Sequence, residues 1–163
     1  DLLPYCRNNG IHVFAYGVLA GGFLSEVWVG QNEPDPKTLD SASAQKYYMQ
    51  IKRWGGWRLF QKLLEALIMV AHKHNTTISV VAMSWALNQP GVSSIIVGTR
   101  LGNPYTDVTE ENIQVYKVFL DEEDMEALER VTRQARDMFK KCGVVGEEYR
   151  QMDEKGFPMF VSW

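Results

Sequence analysis

Cysteine and histidine are scarce in this chain, two and three of its 163 residues, and they are scattered. Cys6 and Cys142 are far apart and lack metal-ligand spacing, so neither a disulfide framework nor a thiolate knuckle is indicated. Both read as free thiols of a reducing compartment. His12 falls in a strand pattern, and His72 and His74 stand two apart at a helix end, facing different ways. That arrangement supports neither a metal site nor a general base, and no metal ligand is assigned. No apolar run approaches the ~20 residues that cross a bilayer, and the first residues have no secretion-signal layout. Asp1 is not an initiator methionine, so the expectation is a processed chain or a fragment. An excess of positive charge is also missing: 17 basic residues face 20 acidic ones, and the net charge of −3 argues against a general nucleic-acid surface. What remains, 45% hydrophobic and 23% charged, is the composition of a globular α/β piece.

Two blocks carry most of the information: Ala15-Tyr16-Gly17-Val18-Leu19-Ala20-Gly21-Gly22-Phe23-Leu24 and Ser94-Ile95-Ile96-Val97-Gly98-Thr99-Arg100. In each, an apolar run stops at or just before glycine, as a buried parallel strand does where it enters a loop. Strands are expected at 12–16 and 94–97. Helices are expected over 2–9, stopped at Gly10, from about Ala44, over 59–74 with Leu59, Leu63, Leu67, Val70 and Ala71 inward, and over about 79–88, stopped by Pro90-Gly91. Strand, helix and strand then form one crossover unit. Residues 30–43, with two prolines, read as an exposed excursion of the kind that forms lids. Two further helices are expected, over 109–115 and over 121–139, the second with Asp121 as cap and Asp124 in its first turn.

The tyrosine–glycine–leucine block, the helix ending Trp85-Ala86-Leu87-Asn88-Gln89-Pro90-Gly91-Val92 and the block Ile95-Ile96-Val97-Gly98-Thr99-Arg100 together resemble the C-terminal part of an aldo-keto reductase. The resemblance covers roughly residues 2–132 and is closest to the plant and bacterial branch related to potassium-channel β subunits. Trp54-Gly55-Gly56-Trp57 adds a subgroup-like element, although these tryptophans read equally as packing of the excursion on a helix. The resemblance implies the C-terminal portion of a (β/α)8 barrel, helix-rich, with about two barrel strands in this chain. A whole barrel takes about 250 residues, more than are present. Residues 1–142 would be the barrel part and 143–163 an extension beyond the resemblance, ending Phe157-Pro158-Met159-Phe160-Val161-Ser162-Trp163.

By the same resemblance, NADP(H) binds to the complete barrel and a carbonyl substrate is reduced by hydride transfer. Tyr16 matches the aromatic residue that stacks on nicotinamide; Gly17, Leu19, Gly21 and Gly22 would line the pyrophosphate; Gly98, Thr99 and Arg100 would take the 2′-phosphate; Glu111 and Asn112 match the pair that holds adenine. Each has a plainer alternative: a core tyrosine, a tight turn, a solvated arginine. Gly102-Asn103-Pro104-Tyr105 lengthens the last loop, and Val108 stands where glutamine or arginine is usual. The family's proton-transfer residues come from the first half of the barrel, so no catalytic residue is assigned here. Two functions stay open: the cofactor-site part of a reductase, or a non-catalytic reductase-like subunit of a larger complex. The partners are then the rest of the barrel or other subunits, in the cytoplasm or plastid stroma.

Overall fold

The helix α3 (Trp57–Lys73) organises the fold, because its apolar residues fall along one side. Phe60, Leu64, Leu67 and Ala71 recur at helical spacing and are buried, while Arg58, Lys62 and Glu65 face solvent. Of the residues expected inward, Leu67, Val70 and Ala71 are buried, whereas in the first half of the helix Phe60 and Leu64 take the buried positions and Leu59 and Leu63 are half-buried at the margin. The computed structural model describes residues 2–98 and 109–142. In chain order the other elements are α1 (Leu2–Asn8), β1 (Val13–Tyr16), α2 (Ala42–Trp54), α4 (Ile78–Leu87), β2 (Val92–Ile96), α5 (Thr109–Ile113), α6 (Glu122–Thr132) and α7 (Met138–Cys142), with short 3-10 turns between several of them. None of the described helices is long and apolar enough to cross a membrane.

The result is a helix-rich α/β arrangement around a two-stranded parallel sheet. β1 and β2 pair in the register Phe14↔Ser94, Ala15↔Ile95 and Tyr16↔Ile96, with an irregularity between Val13 and Phe14. The crossover between them contains α2, α3 and α4. Strand side chains alternate, so Ala15 and Ile95 share one face, and Phe14, Tyr16 and Ile96 the other. Ile95 packs with Val80 and Met83 of α4 and with Val115. The opposite face is bare: Phe14, Tyr16 and Ile96 are 60%, 67% and 57% exposed.

α4 is apolar on nearly every side, with Ile78, Val80, Val81 and Met83 buried, because it lies between the sheet and α3. Its cap is Thr77, whose hydroxyl accepts from the Val80 N–H at 3.3 Å. α6 starts as its spacing predicts: Asp121 accepts from the Asp124 N–H at 2.9 Å, and Asp124 accepts from the Asp121 N–H at 3.1 Å, a complete capping box. It does not run on to Phe139. The chain leaves the helix after Thr132, Arg136 N–H donates to the Trp54 carbonyl at 2.7 Å, and Asp137 accepts from the Lys140 N–H at 3.1 Å to start α7. Continuing α6 would forfeit both bonds.

The excursion after β1 is fastened to α2 and α3. Phe23, Trp28, Trp57 and Phe60 form an aromatic cluster, with Phe23 4.8 Å from Trp28 and edge-on to Phe60 at 6.2 Å. Trp57 donates its indole N–H to the Gln31 carbonyl at 2.9 Å, and Gln61 bridges Trp28 and Gly30 through the backbone. Glu33 accepts from Tyr48 at 2.7 Å and from Lys52 at 2.6 Å. Lys52 and Tyr48 hold the Glu33 carboxyl below its ordinary range, and burial together with Glu33 pushes the Tyr48 hydroxyl up to about 12. Within the Trp54–Trp57 element, Trp57 therefore packs the excursion onto the helices.

Candidate functional site

Parallel pairing sets the carboxyl ends of β1 and β2 side by side, and the loops leaving those ends are where α/β folds place their ligands. Tyr16 is the last residue of β1, its ring on the uncovered face. The chain then turns sharply, with φ of 70° at Gly17, 64° at Gly21 and 93° at Gly22. Ala20 also has a positive φ, 49°, held by its N–H donating to the Gly17 carbonyl at 2.9 Å. Leu19 turns inward and packs with Val80, Met83 and Val115, which anchors the loop to α4.

The glycines of this loop serve two different needs. A Cβ on Gly17 would fall on the Tyr47 hydroxyl and lie 2.8 Å from its Cζ; one on Gly21 would lie 2.8 Å from the Tyr47 ring. Tyr47, from α2, thus covers both positions. Among the described residues nothing lies within 4 Å of a Cβ built on Gly22 or Gly98, although the Gly22 N–H already donates to the Leu19 carbonyl at 3.0 Å and its carbonyl accepts from the Ser25 hydroxyl at 2.9 Å. The expected pyrophosphate-lining set divides accordingly: Gly22 has space beside it, and Gly17 and Gly21 lie beneath Tyr47, which periodicity and motif gave no means of finding.

The amino end of α4 comes to the same end of the sheet, as the return helix of a crossover must. Two of its orphan N–H groups are taken, since Ile78 N–H donates to Glu26 at 2.7 Å and Val80 N–H to Thr77. Glu111 of α5, expected at an adenine site, accepts a hydrogen bond from the Thr77 hydroxyl. Glu26 and Glu111 thus bring to this end the negative charge that a helix amino end favours. Asn112 is half-buried beside Glu111 on α5. Thr99 and Arg100, together with Gly102-Asn103-Pro104-Tyr105 and Val108, lie outside the described residues, as does the 143–163 extension.

For a dinucleotide, the fit is partial. An exposed aromatic ring at a strand end suits a flat ring, and the space beside Gly22 and Gly98 among the described residues admits a close approach, but the Gly22 N–H is engaged within its own loop. Gly17 and Gly21 become available only when Tyr47 turns aside, and Glu111 has one carboxylate oxygen engaged. Sequence reasoning found the strand ends but not Tyr47, Thr77 or Glu26, each of which acts through a contact distant in the chain.

A second cluster of charged groups ties α3 to α6. Asp124, 2% exposed, accepts from Lys73 Nζ at 2.8 Å and lies 2.6 Å from His74 Nε2; Lys73 also reaches Asp121 at 2.7 Å. Burial pushes the Asp124 carboxyl up, but its bonds to Lys73 and His74 outweigh this and hold it below the ordinary range. Asp121, bonded by Lys73 and by the Asp124 N–H, sits at about 2, and Lys73 is raised in turn by Asp121 and Asp124. No group of three or more metal-ligating side chains occurs among the described residues.

A parallel strand pair joined by crossover helices defines a helix-rich α/β fold with loops at the carboxyl ends of its strands. Residues 1–133 match the Aldo/keto reductase family, and the chain belongs to it. A curated relative is the flagellar radial spoke protein 5 of Chlamydomonas reinhardtii, 32% identical over 89 residues, which are 53% of this chain and 17% of that protein. The match thus spans only a small part of the relative's length.

Proposed function

We propose that this chain forms the C-terminal, cofactor-holding part of an NADP(H)-dependent, carbonyl-reducing (β/α)8 barrel, with residues 1–142 in the barrel and 143–163 an extension. The observation that carries the reading is Tyr16, its ring uncovered at the end of β1 where the chain enters the glycine-bearing loop. In this reading the bare face of Phe14, Tyr16 and Ile96 turns to the barrel interior, and further strands pair with the sheet edges. Tyr16 presents its face to nicotinamide. Gly17, Leu19, Gly21 and Gly22 line the pyrophosphate once Tyr47 has moved, Gly98, Thr99 and Arg100 hold the 2′-phosphate, and Glu111 and Asn112 hold adenine. The bound cofactor supplies hydride; these residues bind and orient it and keep water from its ring. Proton transfer falls to residues outside this chain, so the chain by itself reduces no carbonyl compound.

The test is a titration of the full-length protein with NADPH and NADH, repeated on Arg100→Ala. A guanidinium on the 2′-phosphate is worth ~1.5–3 kcal/mol, so the variant should lose about 10- to 150-fold in NADPH affinity and little in NADH affinity. Equal weakening of both cofactors refutes the assignment.

A second reading has its own support in the radial spoke protein: the chain is a reductase-like, non-catalytic component of a larger assembly. The uncovered apolar side chains Phe14, Tyr16 and Ile96 then meet another subunit. Full-length protein that binds neither cofactor yet sediments with other polypeptides would favour it.

A further inference from the structure

Helix α3 passes the chain to α4 through a tight turn. Asn75 has a positive φ of 49°; its N–H donates to the His72 carbonyl at 3.2 Å and the Thr76 N–H to the Ala71 carbonyl at 2.9 Å, the pair of bonds that closes a helix end. Thr77 follows in extended conformation and caps α4, so a helix fixes it on either side. Its hydroxyl oxygen accepts from the Val80 N–H at 3.3 Å, and the hydroxyl proton goes to the Glu111 carboxylate of α5. The two bonds do not compete, because a hydroxyl gives its one proton and accepts on its lone pairs.

Glu111, half-buried, is thereby tethered by one oxygen. Glu26 takes the Ile78 N–H at 2.7 Å and Thr77 takes that of Val80, so these two groups of α4 do not draw the Glu111 carboxylate onto the helix end. Its second oxygen has no partner among the described residues. An ionised carboxylate only accepts, so that oxygen is complementary to a donor such as the amino group of a base. A glutamate without a tether must be ordered at the moment of binding, which lowers affinity about 2- to 10-fold for one flexible side chain.

We propose that Thr77 is a positioning residue for base recognition: it holds Glu111 so that the free carboxylate oxygen meets the exocyclic amino group of adenine. The inference rests on the reading of Glu111 as a residue that holds adenine, and adds to it a residue that acts on the ligand only through another. The cap of α4 and the orientation of Glu111 then depend on one hydroxyl.

The probes are NADPH and its hypoxanthine analogue, whose base carries a carbonyl oxygen in place of the amino group, each titrated into full-length protein. The quantity read is the ratio of the two affinities, which a general weakening of the fold does not move. The unaltered protein should favour NADPH by about tenfold or more, the worth of a hydrogen bond to a charged group. Thr77→Ser keeps cap and donor and should keep the ratio. Thr77→Asp keeps a strong cap for the Val80 N–H but, ionised, has no proton for Glu111, and should lower the ratio about 2- to 10-fold. Thr77→Val, which loses both bonds, should lower it as far, and serves alone if Thr77→Asp does not fold. Glu111→Ala separates the two claims. If the unaltered protein binds no NADPH, or if Glu111→Ala leaves the ratio unchanged, the adenine reading fails and the inference with it. If Glu111→Ala collapses the ratio while Thr77→Asp and Thr77→Val leave it intact, or if Thr77→Ser lowers it equally, the adenine reading stands and the role of Thr77 is overturned.

Discussion

Replacing Gly17 by alanine tests the relation between the loop after β1 and helix α2. At a φ of 70° an L-residue costs roughly 1–2 kcal/mol more than glycine. The new methyl would also fall on the Tyr47 hydroxyl and lie 2.8 Å from its Cζ, so the ring must leave its seat. Overpacking of that kind costs about 1–3 kcal/mol. Gly17→Ala should therefore destabilise the protein by about 2–5 kcal/mol, read from the urea midpoint at constant slope. The two contributions separate in a double-mutant cycle. With Tyr47→Ala already in place the steric part vanishes, and the same alanine should cost only about 1–2 kcal/mol. Equal cost in both backgrounds would show that Tyr47 does not cover Gly17, and a neutral Gly17→Ala would refute the backbone argument as well. If NADPH requires that Tyr47 stand aside, Tyr47→Ala should hold or raise NADPH affinity, because the competent arrangement no longer has to be selected.

Asp124→Ala removes a buried carboxylate from Lys73 and His74, and should cost about 2–4 kcal/mol in urea unfolding, less than a fully enclosed pair because Lys73 reaches solvent. The carboxyls of Asp121 and Asp124 lie below their unfolded values, so their stabilisation is complete above about pH 4 and fades as pH falls toward 2; unfolding midpoints between pH 6 and pH 2 should drop, and the drop should shrink in Asp121→Asn. Thr77→Ala deletes the α4 cap and the donor to Glu111, for a loss of about 1 kcal/mol measured the same way. Leu64→Ala empties the centre of α3, where Leu64 is 0% exposed, and should cost about 2–5 kcal/mol in thermal or urea unfolding.

Local signals in the sequence foretold local structure. The Asp121/Asp124 spacing marked a capping box that forms, and two apolar runs ending near glycine marked strands that pair in parallel. The second strand begins earlier than its pattern suggested, because Val92 finds Val13 opposite it. Contacts between distant residues left no periodic trace. Nothing near Gly17 announces Tyr47, nothing near Glu111 announces Thr77, and the end of α6 is set by the Trp54 carbonyl at the far end of another helix. Tyr16, Gly22 and Gly98 could be located from sequence because a strand end is a local feature; what covers or engages their neighbours is decided by the way the helices pack.

The parallel crossover also fixes an order of events. β1 and β2 gain nothing from each other until the chain carrying α2, α3 and α4 has closed between them, and that closure costs entropy before any ladder bond is made. Contacts between α3 and α4, successive in sequence, have no such wait. The helices therefore assemble first and carry the strands into register. A lesion on α3 should slow refolding, whereas one at Phe14 or Ile96 should leave that rate nearly unchanged and hasten unfolding.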